Sequence, residues 1–253
     1  MNIRFNFAND NVLITGAGRN IGRACALEFA KAGANVAIVV RKNQAEAESV
    51  VREASGHGVR AKAYMADVAD AARLTEVVEA LREDFGPVQI YISNVGLRFR
   101  ESLDEIDLEK WRLVLDTNLR ASFVLAKLLI PDMRRARRGR VIHMSGLDGF
   151  VGQANRAHTV ASKAALHGLT KALALEVAEY GITVNTVVPG IIKTSRSAEH
   201  HPNWDPIRLA WTVPVKRLGE PDEVAWACMF LASAEAAFIT GQAFHVNGGS
   251  AMF

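Results

Sequence analysis

The chain has 253 residues, 49% of them hydrophobic and 23% charged, a composition that excludes a disordered chain. Lys and Arg number 30 against 27 Asp and Glu, and a net charge of +3 is too mild to indicate nucleic acid. The two cysteines, Cys25 and Cys228, lie far apart in sequence with no CxxC or Cys/His spacing. Neither a metal site nor a disulfide framework is expected, and both read as buried small hydrophobes in a reducing compartment. No run of 18 apolar residues occurs, and Met1 to Asp10 lacks a signal-like apolar core. A membrane span is therefore not expected, and a cytoplasmic location is.

Short apolar runs alternate with helical spacing along the whole chain. Asn11–Thr15 is a strand, and Asn20–Ala32 a helix that stops at Gly33. Strand Asn35–Val40 precedes helix Gln44–Ala54, and strand Val59–Met65 precedes helix Ala71–Phe85. Strand Val88–Ser93 leads to a long helix, Trp111–Arg137, with Pro131 near its end. Strands Arg140–Met144 and Ile182–Val188 flank helix Ala157–Tyr180. Helix Glu220–Leu231 and strand Ala243–Val246 close the pattern. Continuous apolar strands joined by helices predict a parallel sheet covered on both faces. With no linker, repeat or low-complexity segment, the expectation is one α/β domain over 1–253, with seven strands.

The cluster Arg134, Arg135, Arg137, Arg138 and Arg140 falls at the C-terminal end of the long helix, where cations complement the helix dipole. It reads as a solvated face. An acidic-partner or nucleic-acid patch is the other reading, which the absence of interleaved aromatics weakens.

The first strand runs into Thr15-Gly-Ala-Gly-Arg-Asn-Ile-Gly22 and then a helix. Glycines at that junction let backbone approach a pyrophosphate at the helix N-terminus. An acid after the second strand would favour NAD(H) through the ribose. Val40-Arg41-Lys42 stands there instead, and Arg19 lies inside the loop. Two guanidiniums suit a 2′-phosphate, so NADP(H) is expected in preference to NAD(H). The alternative is that Arg41 and Lys42 are solvated turn residues.

At this point the chain resembles the short-chain dehydrogenase/reductase family over nearly its whole length. The family's TGxxxGxG loop corresponds to Thr15–Gly22, with Asn20 where a glycine is usual. Its adenine-contacting acid matches Asp67, followed by Val68, and its NNAG turn is Ser93-Asn94-Val95-Gly96. Its active-site asparagine matches Asn118, and its PG-x-x-x-T segment is Pro189-Gly190-Ile-Ile192-Lys-Thr194. Val215–Val224 and Val246–Gly249 look like the closing segments of 3-oxoacyl-ACP reductase-like members. The resemblance implies a Rossmann fold and assigns Gly16, Arg19, Asn20, Ile21, Gly22, Arg41, Asp67, Val68, Asn94, Gly96, Lys163, Pro189, Gly190, Ile192 and Thr194 to the cofactor. It also implies a small-molecule substrate and a homotetramer, or a homodimer, in which the long helix and the Lys163 helix meet partner copies.

The family's active site is Asn, Ser, Tyr and Lys, the last two four apart on one helix face. Lys163 matches the lysine, but Thr159 stands at the tyrosine and Gly146 at the serine, with Ser145 one position early. The catalytic candidates are therefore Asn118, Lys163, Thr159 and Ser145. A phenol starts near pKa 10; an aliphatic hydroxyl is far less acidic, and threonine is shorter by a ring. Losing a positioned acid costs about 10²–10⁴ in rate and losing an oxyanion donor about 10²–10³.

Three readings follow. The chain is an oxidoreductase that takes its proton elsewhere, from Lys163 directly or through water, on a carbonyl/hydroxyl or C=N group. Or it is a non-catalytic NADP-binding, regulatory or assembly protein. Or it runs a different reaction on the same scaffold. His143, His158 and Asp148 are candidate substitutes beside core-packing and turn-forming readings. His200 and His201 fall in the segment the family uses as a lid, and Arg98 and Arg100 suit an acidic substrate or solvent. His167, four past Lys163, reads as internal packing.

Overall fold

The computed structural model describes residues 5–195 and 205–253. Its elements run β1 (Asn11–Thr15), α1 (Asn20–Lys31), β2 (Asn35–Val40), α2 (Gln44–Ser55), β3 (Ala61–Met65), α3 (Ala71–Phe85) and β4 (Ile90–Ser93). There follow α4 (Leu108–Leu115), α5 (Ala121–Ala136), β5 (Gly139–Met144), α6 (Asp148–Val151), α7 (Ala157–Val177), β6 (Ile182–Pro189), α8 (Pro206–Thr212), α9 (Pro221–Ala232) and β7 (Ala243–Val246). All seven strands pair in parallel in the order β3-β2-β1-β4-β5-β6-β7.

The period-2 alternation of the strands builds two cores. Val12, Ile14, Val36 and Ile38 face one layer with α1, α2 and α9. Leu13, Ala37, Val39 and Tyr91 face the other, with α3, α5 and α7. Burial on both faces is why the strands read as unbroken apolar runs. Cys25 on α1 and Cys228 on α9, distant in sequence, lie side by side in the first core as free thiols. Their mutual hydrogen bond, with burial, pushes the Cys228 thiol up.

The long helix predicted over 111–137 differs in two ways. It begins earlier, at α4, because the Asp107 side chain accepts from the Lys110 N–H as an N-cap. It also widens into a π turn at Asp116–Arg120 before continuing as α5. The arginine cluster is not one solvated face. Arg140 lies buried in β5 and donates to the carbonyls of Gly139 and Gly181. Arg134 pairs with Glu176 at 3.0 Å and Arg138 with Asp10 at 2.7 Å. The strand order reverses direction between β1 and β4, which opens a crevice beyond their C-terminal ends.

Candidate active site

Both sides of the crevice are tied together by Thr15 and Asn94. The Asn94 and Val95 N–H groups donate to the Thr15 hydroxyl at 3.0 and 3.3 Å. The Asn94 carboxamide donates to the carbonyls of Thr15 and Gly16, both at 3.1 Å. A Cβ on Gly22 would meet the Gly16 carbonyl and stand 2.6 Å from Asn94 Nδ2, so only glycine permits this contact. No side chain caps the start of α1, and its first turn holds no acid, so its free N–H groups face the crevice as an anion site. This cradle fits the pyrophosphate of a dinucleotide.

Asn20, in place of the usual glycine, has φ 53°, a left-handed conformation that asparagine tolerates. Its Oδ1 accepts from the Ser195 N–H at 2.9 Å and the Ser195 hydroxyl at 3.0 Å, and its Nδ2 donates to the Ser195 carbonyl. The loop after β1 is thereby joined to the segment after β6. That segment leaves the sheet at Pro189, and a Cβ on Gly190 would stand 2.8 Å from the Asn247 Cα. Ile192 is buried and bridges to Gly219, and the Thr194 hydroxyl donates to the Ile192 carbonyl at 3.4 Å.

Arg19, in the loop after β1, and Arg41, just after β2, are exposed, and Arg41 Nη1 lies 3.5 Å from Asp67 Oδ2. Val68 is buried, and Asp67 Oδ1 accepts from the Ala69 N–H. A carboxylate that the sequence reading missed also sits here. Glu46 on α2 brings Oε2 to 3.4 Å from the Cβ position of Gly18.

The catalytic candidates divide. Asn118, in the π turn, accepts from the Leu97 N–H at 2.7 Å and donates to the Leu97 carbonyl at 3.0 Å and the Ser162 hydroxyl at 2.9 Å. Lys163 is buried on α7 and donates from Nζ to the Met144 carbonyl at 2.7 Å. The two converge on Gly96, whose Cβ position is 3.2 Å from Lys163 Nζ and 3.8 Å from Asn118 Oδ1. Burial, and then the Arg98 charge, lower the Lys163 ammonium to about 7 against the pull of Asp148.

Ser145 is fully buried and bonds away from this point, to the Lys163 carbonyl at 3.1 Å and to His167 Nε2 at 3.0 Å. Its hydroxyl therefore fastens β5 to α7 and does not enter the pocket. Thr159 is also buried; among the described residues its hydroxyl has no hydrogen-bond partner.

His143 is enclosed in the core, bonded to the Thr170 hydroxyl at 2.8 Å, and burial depresses it to about 4. His158 Nδ1 lies 2.9 Å from the Thr159 N–H, and its Nε2 lies 3.3 Å from Glu101 Oε2. Asp148 accepts from Arg156 at 2.7 Å. Arg98 enters the pocket beside Gly146, whereas Arg100 is exposed. His167 is more than packing: it holds Ser145, and its ring meets that of Phe150 at a tilt, with centroids 4.2 Å apart. His200 and His201 lie outside the described residues.

The family profile described as Enoyl-(Acyl carrier protein) reductase matches residues 16–251. The 3-oxoacyl-[acyl-carrier-protein] reductase FabG of Staphylococcus epidermidis is 38% identical over 244 residues, 96% of this chain and all of that protein. Its namesake from Escherichia coli K12 is 40% identical over 248 residues, covering 98% and 99% of the two chains. The crystal structure of a protein from Sinorhizobium meliloti 1021, provisionally designated a short-chain alcohol dehydrogenase, superposes with a TM-score of 0.92. It is 31% identical, and the match covers 98% of each chain.

Proposed function

Because the chain belongs to the short-chain dehydrogenase/reductase family and is an oxidoreductase related to its 3-oxoacyl-ACP reductases, we propose that it uses NADP(H) in preference to NAD(H). Its substrate is a small molecule reacting at a carbonyl/hydroxyl or C=N group, and its active site is atypical. The observation that carries this reading is the convergence of Lys163 Nζ and Asn118 Oδ1 on Gly96, beside the glycine cradle.

The bound nicotinamide supplies or accepts the hydride. In this reading the cradle and the uncapped start of α1 hold the pyrophosphate. Asp67 and Val68 hold the adenine, and Arg19 and Arg41 fork onto the 2′-phosphate. Asn94 and Gly96 line the crevice at the nicotinamide end, and Pro189, Gly190, Ile192 and Thr194 close over it. Lys163 holds the nicotinamide ribose. It is also the proton source that remains once Thr159 and Gly146 replace the family's acid and its partner, because an ammonium near pKa 7 gives up a proton readily at neutral pH. Asn118 is a positioning residue that fixes the Leu97 backbone.

The family likeness supports a homotetramer, or a homodimer, with Leu113 and Phe123 exposed on α4 and α5 and Leu175 on α7 as contact candidates. No helix among the described residues is long and apolar enough to cross a membrane. A cytoplasmic location belongs to the same reading.

Calorimetric titration with both nucleotides tests the cofactor reading. NADPH is expected to bind more tightly; equal or tighter binding of NADH overturns the phosphate-fork argument.

A further inference from the structure

Arg98 follows the Ser93–Gly96 turn by two residues and reaches back across the pocket. Its Nη2 lies 3.5 Å from the Cβ position of Gly146, the place the family gives to its serine. Glycine there leaves the guanidinium room. Among the described residues Arg98 makes no hydrogen bond and no ion pair; the acid whose charge acts on it, Asp148, is bonded to Arg156 at 2.7 Å. Lys163 is a third cation around the same space. Among the described residues, Arg98, Arg156 and Lys163 thus share a single carboxylate, Asp148. Burial lowers the Arg98 guanidinium, with Arg156 adding to the effect and Asp148 opposing it. Arg98 is half-buried, and surplus positive charge in a partly desolvated place favours an anion beside it.

A guanidinium offers its N–H groups side by side in a rigid planar fork. With one prong where the family's serine would meet a carbonyl oxygen, the other prong faces the next acceptor along the substrate. The acceptor that also satisfies the charge is a carboxylate oxygen. Resting on the oxidoreductase reading above, we propose that the substrate is a carbonyl compound with a carboxylate on the adjacent carbon, a 2-oxo acid or its 2-hydroxy counterpart, held by the Arg98 fork. The loss of the Ser and Tyr hydroxyls and the uncompensated arginine then have one explanation. Arg98 supplies donors to the carbonyl oxygen that Gly146 and Thr159 do not, and a neutral ketone leaves half of the fork unpaired.

The test is calorimetric, with oxamate as the 2-oxo acid mimic and its neutral ester methyl oxamate as control, on the NADPH-loaded full chain. Oxamate is expected to bind and the ester is not. Arg98→Gln should weaken oxamate by about 10-fold or more while leaving NADPH affinity unchanged. Arg98→Lys, which keeps the charge but not the fork, should fall between, and it decides the matter if the glutamine variant does not fold. Wild-type protein that ignores oxamate, or an arginine variant that binds it equally well, overturns the proposal. NADPH binding is read first in the same experiment. Its failure counts against the cofactor reading, and oxamate is then titrated into nucleotide-free protein, where the same outcomes decide the role of Arg98.

Discussion

The Lys163 ammonium donates a hydrogen bond to the Met144 carbonyl at 2.7 Å, tying α7 to the end of β5. Burial and Arg98 bring this amine from 10.5 to about 7, with Asp148 acting in the opposite direction. Between these two values the unfolded chain binds the extra proton, so this group makes stability rise with pH across that window. Lys163→Met removes the titration. Urea unfolding at pH 7 and pH 9 should show a smaller rise in the variant than in the wild type; an unchanged rise contradicts the depressed amine. The same substitution should weaken NADPH binding and abolish turnover.

Asn20 combines a left-handed backbone with a tether to Ser195. Asn20→Ala should lose both, and the backbone strain alone amounts to roughly 1–2 kcal/mol. Asn20→Gly removes the strain but not the loss of the tether. Thermal unfolding should therefore rank glycine above alanine, while fluorescence titration finds NADPH weakened severalfold in both. Wild-type NADPH affinity in Asn20→Gly would show that the tether has no part in cofactor binding.

Two charges at the adenosine end should act oppositely. Arg41→Gln should weaken NADPH by about 10-fold, as expected for a charge-assisted bond, and leave NADH nearly unchanged. Glu46, whose carboxylate faces Gly18, should repel the same phosphate, so Glu46→Gln should tighten NADPH. Parallel titrations with both nucleotides separate these effects. If Arg41→Gln changes both affinities alike, Arg41 is not reading the phosphate.

The sheet was legible because each strand is an apolar run closed by turn residues, and the Thr15–Gly22 loop was legible because a strand precedes it and a helix follows. The π turn at Asn118 was not, since an extra residue in a helical turn leaves the apolar spacing almost intact. Ser145 looked available from its place in the chain; only the register of β5 against α7 turns it to Lys163 and His167. The Asn20–Ser195 tether joins residues 175 apart, and nothing local announces it. Arg98 stood out as a charge, but its approach to Gly146 depends on how the turn after β4 folds back.

We propose a hydride-transfer site lacking the hydroxyl pair that neutral ketones need. Hydride addition to such a ketone builds an alkoxide, which requires a donor and an acid in place. A serine Cβ at Gly146 would stand 3.5 Å from Arg98 Nη2, an ordinary contact, so the backbone there accepts a side chain. The decisive measurement is steady-state NADPH oxidation on activated neutral ketones and 3-oxoacyl thioesters by the wild type, Gly146→Ser, Thr159→Tyr and the double variant. The wild type should be slow, the single variants should gain little, and the double variant should gain most, because groups that act as a unit are not additive. Wild-type turnover in the usual range of about 1–10³ s⁻¹, or a double variant that binds NADPH and stays silent, would contradict it.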